Sequence, residues 1–203
     1  MTKRALYCIL NLILLLTLSS CLVHTSLVYF DKDTEGVPNL ISNPGFSAYS
    51  LDPREALLGW GVDLQGESEA PKNLVFIDGQ EAIQGNSSLR VDASPYTVVI
   101  TSDAFRVSRY GGYYTRLWTK SSTAVGPQIN LRFITFKSSG KIDRQFKTKI
   151  KSTDMWEKES ISAGFLRPGV AFGRLQITIP PFTEGSVWLD DTGCWEVHRF
   201  RID

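Results

Sequence analysis

Gly111 to Lys137, GGYYTRLWTKSSTAVGPQINLRFITFK, is the stretch whose alternation decides the fold. It reads as two long β-strands joined by a polar loop containing Gly126 and Pro127. Successive side chains of a strand point to opposite faces. One parity of the first strand is Tyr113, Thr115, Leu117 and Thr119; the other is Tyr114, Arg116, Trp118 and Lys120. Burying Arg116 without a partner costs several kcal/mol, so the cheaper register sends Leu117 inward and Tyr114, Arg116 and Trp118 outward. The second strand repeats the pattern, with Ile129, Leu131 and Phe133 inward and Asn130 and Arg132 outward. Two rings flanking a guanidinium, beside an amide and a second guanidinium, suit a sugar. Rings stack on the apolar face of a pyranose while planar polar groups take its hydroxyls. The competing reading makes Tyr114 and Trp118 core aromatics and lets Arg116 snorkel at a bulge.

The same period of two runs through the rest of the chain. Asn39 to Phe46 is a short strand entering an Asn-Pro-Gly turn, and Asp52 to Ala56 has the residues for one helical turn. Strands follow at Leu57 to Asp63, Asn73 to Asp78, Ser87 to Ala93, Tyr96 to Thr101 and Ala104 to Val107. After the central pair, Lys141 to Ile150 alternates basic and apolar residues as an exposed edge strand does, its cations discouraging pairing with other chains. Thr153 to Ile161 comes next, then Val170 to Ile179, with Leu175, Ile177 and Ile179 inward and Arg174, Gln176 and Thr178 outward. Val187 to Asp191 and Cys194 to Phe200 finish the chain. Roughly ten short strands with frequent turn signals and no helices between them predict an all-β chain, a two-sheet antiparallel β-sandwich or jelly roll.

The 203 residues suit one domain plus a terminal segment. Hydrophobic residues at 42% and charged residues at 21% are ordinary for a globular protein. A formal charge of +1 with no basic stripe argues against nucleic acid as a partner. Met1 to Arg4 is basic, Ala5 to Leu18 is almost wholly apolar, and Leu18-Ser19-Ser20-Cys21 follows. That is the pattern of an export signal, and its last four residues resemble the lipobox of bacterial lipoproteins, which lipidates the cysteine. The alternative is an uncleaved anchor, since Ala5 to Val23 is nearly long enough to span a bilayer. The expected organisation is a signal over residues 1–20, lipidated Cys21 and a spacer over 21–38, a sandwich over 39–199 and a tail over 200–203. The protein is then exported and membrane-anchored, on the periplasmic face or the cell surface. Loss of Cys8 with the signal leaves Cys194 as the one thiol beyond Cys21, so no internal disulfide is expected.

Several markers stand in a fixed order: Asn39-Leu40-Ile41-Ser42-Asn43-Pro44-Gly45-Phe46, Gly59-Trp60, Gly85-Asn86-Ser87-Ser88-Leu89-Arg90-Val91, Tyr113 to Lys120, Thr153-Asp154-Met155-Trp156 and Val187-Trp188-Leu189-Asp190-Asp191. In that order they resemble carbohydrate-binding modules of the CenC type, over about Asn39 to Val197. The resemblance implies a jelly roll with a galactose-binding-domain-like fold, often with a structural calcium ion remote from the sugar. Asp190 and Asp191 match the family's paired aspartates. Ser47 stands where an acidic residue usually helps to hold the ion, which puts the calcium in doubt. The resemblance also makes Trp60, Trp156 and Trp188 packing residues and leaves Trp195 open.

Catalytic chemistry is not visible. His24 and His198 lie far from any Gly-flanked serine, and a zinc site lacks His and Cys ligands. Adjacent Asp190 and Asp191 face opposite ways in a strand and cannot form a glycosidase pair. The expected function is therefore non-catalytic binding of an oligosaccharide or polysaccharide by Tyr114, Arg116, Trp118, Asn130, Arg132, Arg174 and Gln176. The three arginines hint at an acidic or highly hydroxylated glycan. The alternative is a structural or protein-interaction lipoprotein with the same fold.

Overall fold

The computed structural model describes residues 27–48, 57–66 and 74–200. Among them lie a 3₁₀ turn, Asp31–Thr34, and eleven strands: β1 (Trp60–Gln65), β2 (Val75–Asp78), β3 (Ser88–Ser94), β4 (Thr97–Ser102), β5 (Phe105–Arg106), β6 (Gly111–Ser121), β7 (Gln128–Lys137), β8 (Ile142–Lys151), β9 (Glu157–Ala163), β10 (Val170–Ile179) and β11 (Phe182–Arg199). They form two antiparallel sheets. One runs β1-β4-β10-β7-β8, with β5 on β10; the other runs β2-β3-β11-β6-β9. The inward parities of both meet in one core. Leu89, Val91, Leu117 and Leu189 from the five-stranded sheet pack with Ile100, Ile129, Leu131, Phe133, Leu175 and Ile177 from the six-stranded sheet. Leu117 is fully buried, as the alternation requires.

Three sequence expectations change. The loop at Gly126 and Pro127 does not close a hairpin: β6 pairs with β11 and β9, whereas β7 pairs with β10 and β8. The chain crosses from one sheet to the other there, so the outward residues of β6 and β7 lie on opposite sides of the sandwich. The opening segment at Asn39 is irregular rather than a strand, held by the Leu40 N–H donating to the Cys194 carbonyl at 2.8 Å. The two closing strands are one, β11, bent by an irregularity between Asp190 and Gly193. Edge position for β8 is as expected, and Cys194 is a free, buried thiol. The helical turn at Asp52 to Ala56, the signal and Cys21 lie outside the described residues, and no helix among those described is long and apolar enough to cross a membrane.

Candidate functional site

The outer face of the five-stranded sheet carries Tyr114, Arg116 and Trp118 as the parity predicts, but it is not an open groove. Register places Trp195 beside Tyr114, Gly193 beside Arg116 and Asp190 beside Trp118. The N-terminal segment folds across this face. Asp31 accepts from the Tyr114 hydroxyl at 3.0 Å and from Arg116 Nη1 at 3.1 Å, and it also pairs with Lys158. Arg116 reaches Asp191 at 2.8 Å on its other side and lies over the Trp195 ring at 4.9 Å. Tyr114 keeps only 2% exposure and Trp195 only 6%. Trp118 is half-buried with Lys158 over its ring. The expected open platform is thus corrected in part: Tyr114 is buried and the Arg116 guanidinium bridges Asp31 and Asp191, whereas Trp118 keeps partial exposure. Internal contacts continue further along, where Arg90 sits over Phe76 and Trp188 and pairs with Asp92, and Lys120 pairs with Glu81.

The paired aspartates do not fit a hard cation, which takes about six to eight oxygens. Asp190 Oδ2 accepts the Ile83 and Gln84 N–H groups at 2.8 and 3.0 Å, and Oδ1 accepts the Asp191 N–H at 2.7 Å. Asp191 is committed to Arg116. Ser47 turns its N–H toward the Asn43 side-chain oxygen instead of offering a carboxylate. Burial pushes the Asp190 carboxyl up despite its three backbone donors, and no group of three His, Cys, Asp or Glu residues placed to hold a metal occurs among the described residues.

The remaining four expected residues come together on the outer face of the six-stranded sheet. Arg132 of β7 lies opposite Gln176 of β10, Asn130 opposite Thr178, and Arg174 opposite Ile134. From β8, Lys147 faces Arg132 and Lys149 faces Asn130. Sequence reasoning missed Phe136 and Phe172, which continue the outward parities of β7 and β10 and stack at 4.9 Å with an interplanar angle of 9°. Their signal was present: each stands at an even spacing from an arginine already placed outward. Lys147 and Lys149, which the sequence marks only as edge protection, lie on this face as well. The result is one face with paired rings at one end, then guanidinium, amide and ammonium groups.

No protein-family model and no curated protein matches the sequence. Solved structures match the fold. TmCBM61, a carbohydrate-binding module solved with β-1,4-galactotriose, has a TM-score of 0.58 at 16% identity, over 78% of this chain and 99% of that one. The CBM22-1 xylan-binding domain of Paenibacillus barcinonensis Xyn10C has a TM-score of 0.53 at 14% identity, over 81% and 97%. The enzymatically active domain of bacteriophage CBA120 tailspike protein 4 has a TM-score of 0.60 at 10% identity, over 77% of this chain but 21% of that one. The fold is that of the β-sandwich carbohydrate-binding modules.

The sandwich also has two shallow clefts at the end where β11 finishes, one lined by Val37, Leu40, Glu196 and His198, the other by Ser108, Tyr110, Arg199 and Phe200. Glu196 accepts from Ser108 Oγ at 2.9 Å, from Tyr113 and from Arg199 Nε at 2.7 Å. Although burial raises it, those donors hold its carboxyl below the ordinary range, and burial pushes the Tyr113 phenol up to about 12. Among the described residues it is the one carboxylate lining either cleft.

Proposed function

We propose that this chain is a non-catalytic carbohydrate-binding module of the CenC type, tethered to a membrane by lipid on Cys21, that binds glycan across the outer face of its six-stranded sheet. The observation that carries the reading is the convergence of Asn130, Arg132, Arg174 and Gln176 on adjacent strands beside the stacked Phe136 and Phe172. Planar polar groups and partly exposed rings on a rigid sheet are what saccharide recognition uses. The fold shared with TmCBM61 and the xylan-binding domain supports the same class of ligand. Titration of the protein against a panel of polysaccharides tests it. Phe172→Ala should weaken retention about 5- to 150-fold, the range that loss of an aromatic stacking platform gives, while Trp118→Ala should leave it unchanged. Equal retention by wild type and Phe172→Ala removes the assignment. Cys21→Ser should release the protein from the membrane fraction, and retention there would remove the tether.

A structural or protein-interaction role is favoured by one feature, the free edge β8 with Ile142 52% exposed at the end of the same face. Failure of every glycan in the panel would make it the better account.

A further inference from the structure

The two outer faces differ in how their charges are matched. On the five-stranded sheet Arg90, Arg116, Lys120 and Lys158 each have a carboxylate within reach. On the six-stranded sheet, Arg106, Arg132, Arg174, Lys147, Lys149 and Lys151 share the outward parity, and no side chain among these six forms an ion pair or hydrogen bond among the described residues. Asp63 is outward on β1, at the far edge, separated from β8 by β4, β10 and β7. At about 4.8 Å per strand that is roughly 19 Å from β8, about 14 Å from Arg132 on β7 and about 10 Å from Arg174 on β10 across the sheet, each beyond the Debye length of about 8 Å at physiological salt. Asp143 lies in the irregularity of β8 and has one carboxylate oxygen without a partner.

Lysines on an edge strand need no ligand to explain them, because they keep edges from pairing. That accounts for Lys147, Lys149 and Lys151 on β8. It does not account for Arg132 and Arg174, which sit on the interior strands β7 and β10 where no edge needs guarding. Nor does it account for Arg132 directly opposite Lys147, since like charges at a cross-strand pair, with Cβ atoms about 5 Å apart, are destabilising. An anion lying along β7 would neutralise both. Arg132 and Arg174 are diagonal neighbours about 7–8 Å apart, and guanidinium forks take carboxylates in two parallel hydrogen bonds. Gln176 lies between them in register with Arg132 and offers an amide for a hydroxyl.

We infer that the ligand of this face is a polyuronate, a glycan carrying a carboxylate on its sugar units, with Arg132 and Arg174 gripping successive carboxylates and β8 supplying a rail of positive charge. This rests on the carbohydrate-binding reading above and narrows it. Affinity electrophoresis of the full chain in a non-ionic detergent, through gels containing polygalacturonate or carboxyl-reduced polygalacturonate, separates the two claims. Retention by polygalacturonate should be at least about tenfold stronger than by the reduced polymer, fall steeply as sodium chloride rises, and drop about tenfold or more in Arg132→Gln and Arg174→Gln. Both variants should keep the wild-type melting temperature, because neither arginine has a partner among the described residues to lose. Equal retention by the charged and reduced polymers overturns the polyuronate inference and leaves a neutral-glycan module standing. No retention by either polymer, with retention by another neutral glycan, has the same meaning; no retention by any glycan overturns both. Binding to dextran sulfate, or to phosphatidylglycerol vesicles, without binding to polygalacturonate overturns the inference in favour of a sulfated polymer or a lipid surface.

Discussion

Arg116 shows how one residue can look functional and be structural. It sits between two aromatic positions on an outward parity, yet its guanidinium bridges Asp31 and Asp191. Arg116→Ala leaves two carboxylates underpaired, and the cost should be about 1–3 kcal/mol in a urea unfolding midpoint, with polysaccharide retention unchanged. Loss of retention without loss of stability would return the site to this face. The carboxyls also set an acid limit. In Asp31, Asp78 and Glu196 burial raises the pKa, but hydrogen bonds outweigh it and leave each below its ordinary value. A carboxyl depressed by folding adds stability above its unfolded pKa, about 4, and that stability is lost as pH falls through the folded value. Asp190 is raised and works with the opposite sign, losing its contribution as pH climbs from its unfolded to its folded value. Three depressed groups against one raised group predict a melting temperature that falls below about pH 4; calorimetry showing no change there would contradict this. Because the Asp190 oxygens are filled by N–H donors, a chelator should leave the melting temperature where it was. A drop that calcium restores would show that the donor set rearranges around an ion.

At the scale of the strand, alternation made the buried and outward sets of β6, β7 and β10 legible, because a period of two leaves each side chain only two directions. Pairing partners were not legible. A Gly-Pro loop after β6 serves a hairpin or a crossing between sheets equally well, and the choice depends on β10 and β11, which begin at Val170 and Phe182, far along the chain. For that reason four of the seven expected residues fell on one face and three on the other. The covering of the five-stranded sheet was hidden for a related cause. Asp31 belongs to a charged turn that reads as a solvated spacer, although Arg116, needing a partner, was the clue that some upstream acid would find it. The irregularity at Asp190 to Gly193 gives a test of how tightly β11 is set. A Cβ on Gly193 would collide with the Trp195 ring. Gly193→Ala should therefore cost about 1–3 kcal/mol and displace Trp195 from Tyr114, visible as altered tryptophan fluorescence; an unperturbed spectrum would mean the bulge yields without strain.

The whole molecule has a polarity that follows from where its N-terminal segment lies. Tyr29 donates its N–H to Ser162 Oγ at 2.8 Å, and Asp31 is fixed by Tyr114, Arg116 and Lys158, so the chain enters the sandwich on the outer face of the five-stranded sheet. From Cys21 to Tyr29 the chain reaches at most about 29 Å when fully extended. A lipid on Cys21, as proposed above, would bring that face nearer the bilayer and leave the cations of the six-stranded sheet, unpaired among the described residues, on the far side. The orientation favours a ligand outside the membrane over anionic headgroups, since Arg132 and Arg174 would be on the far side of the sandwich from the lipid. An impermeant amine reagent applied to vesicle-bound protein, read by mass spectrometry, should modify Lys147, Lys149 and Lys151 as fast as in the free domain. Lys120 and Lys158 should be slowed by tethering. Protection of the β8 lysines instead would turn the sandwich over and make its basic face the membrane-facing one.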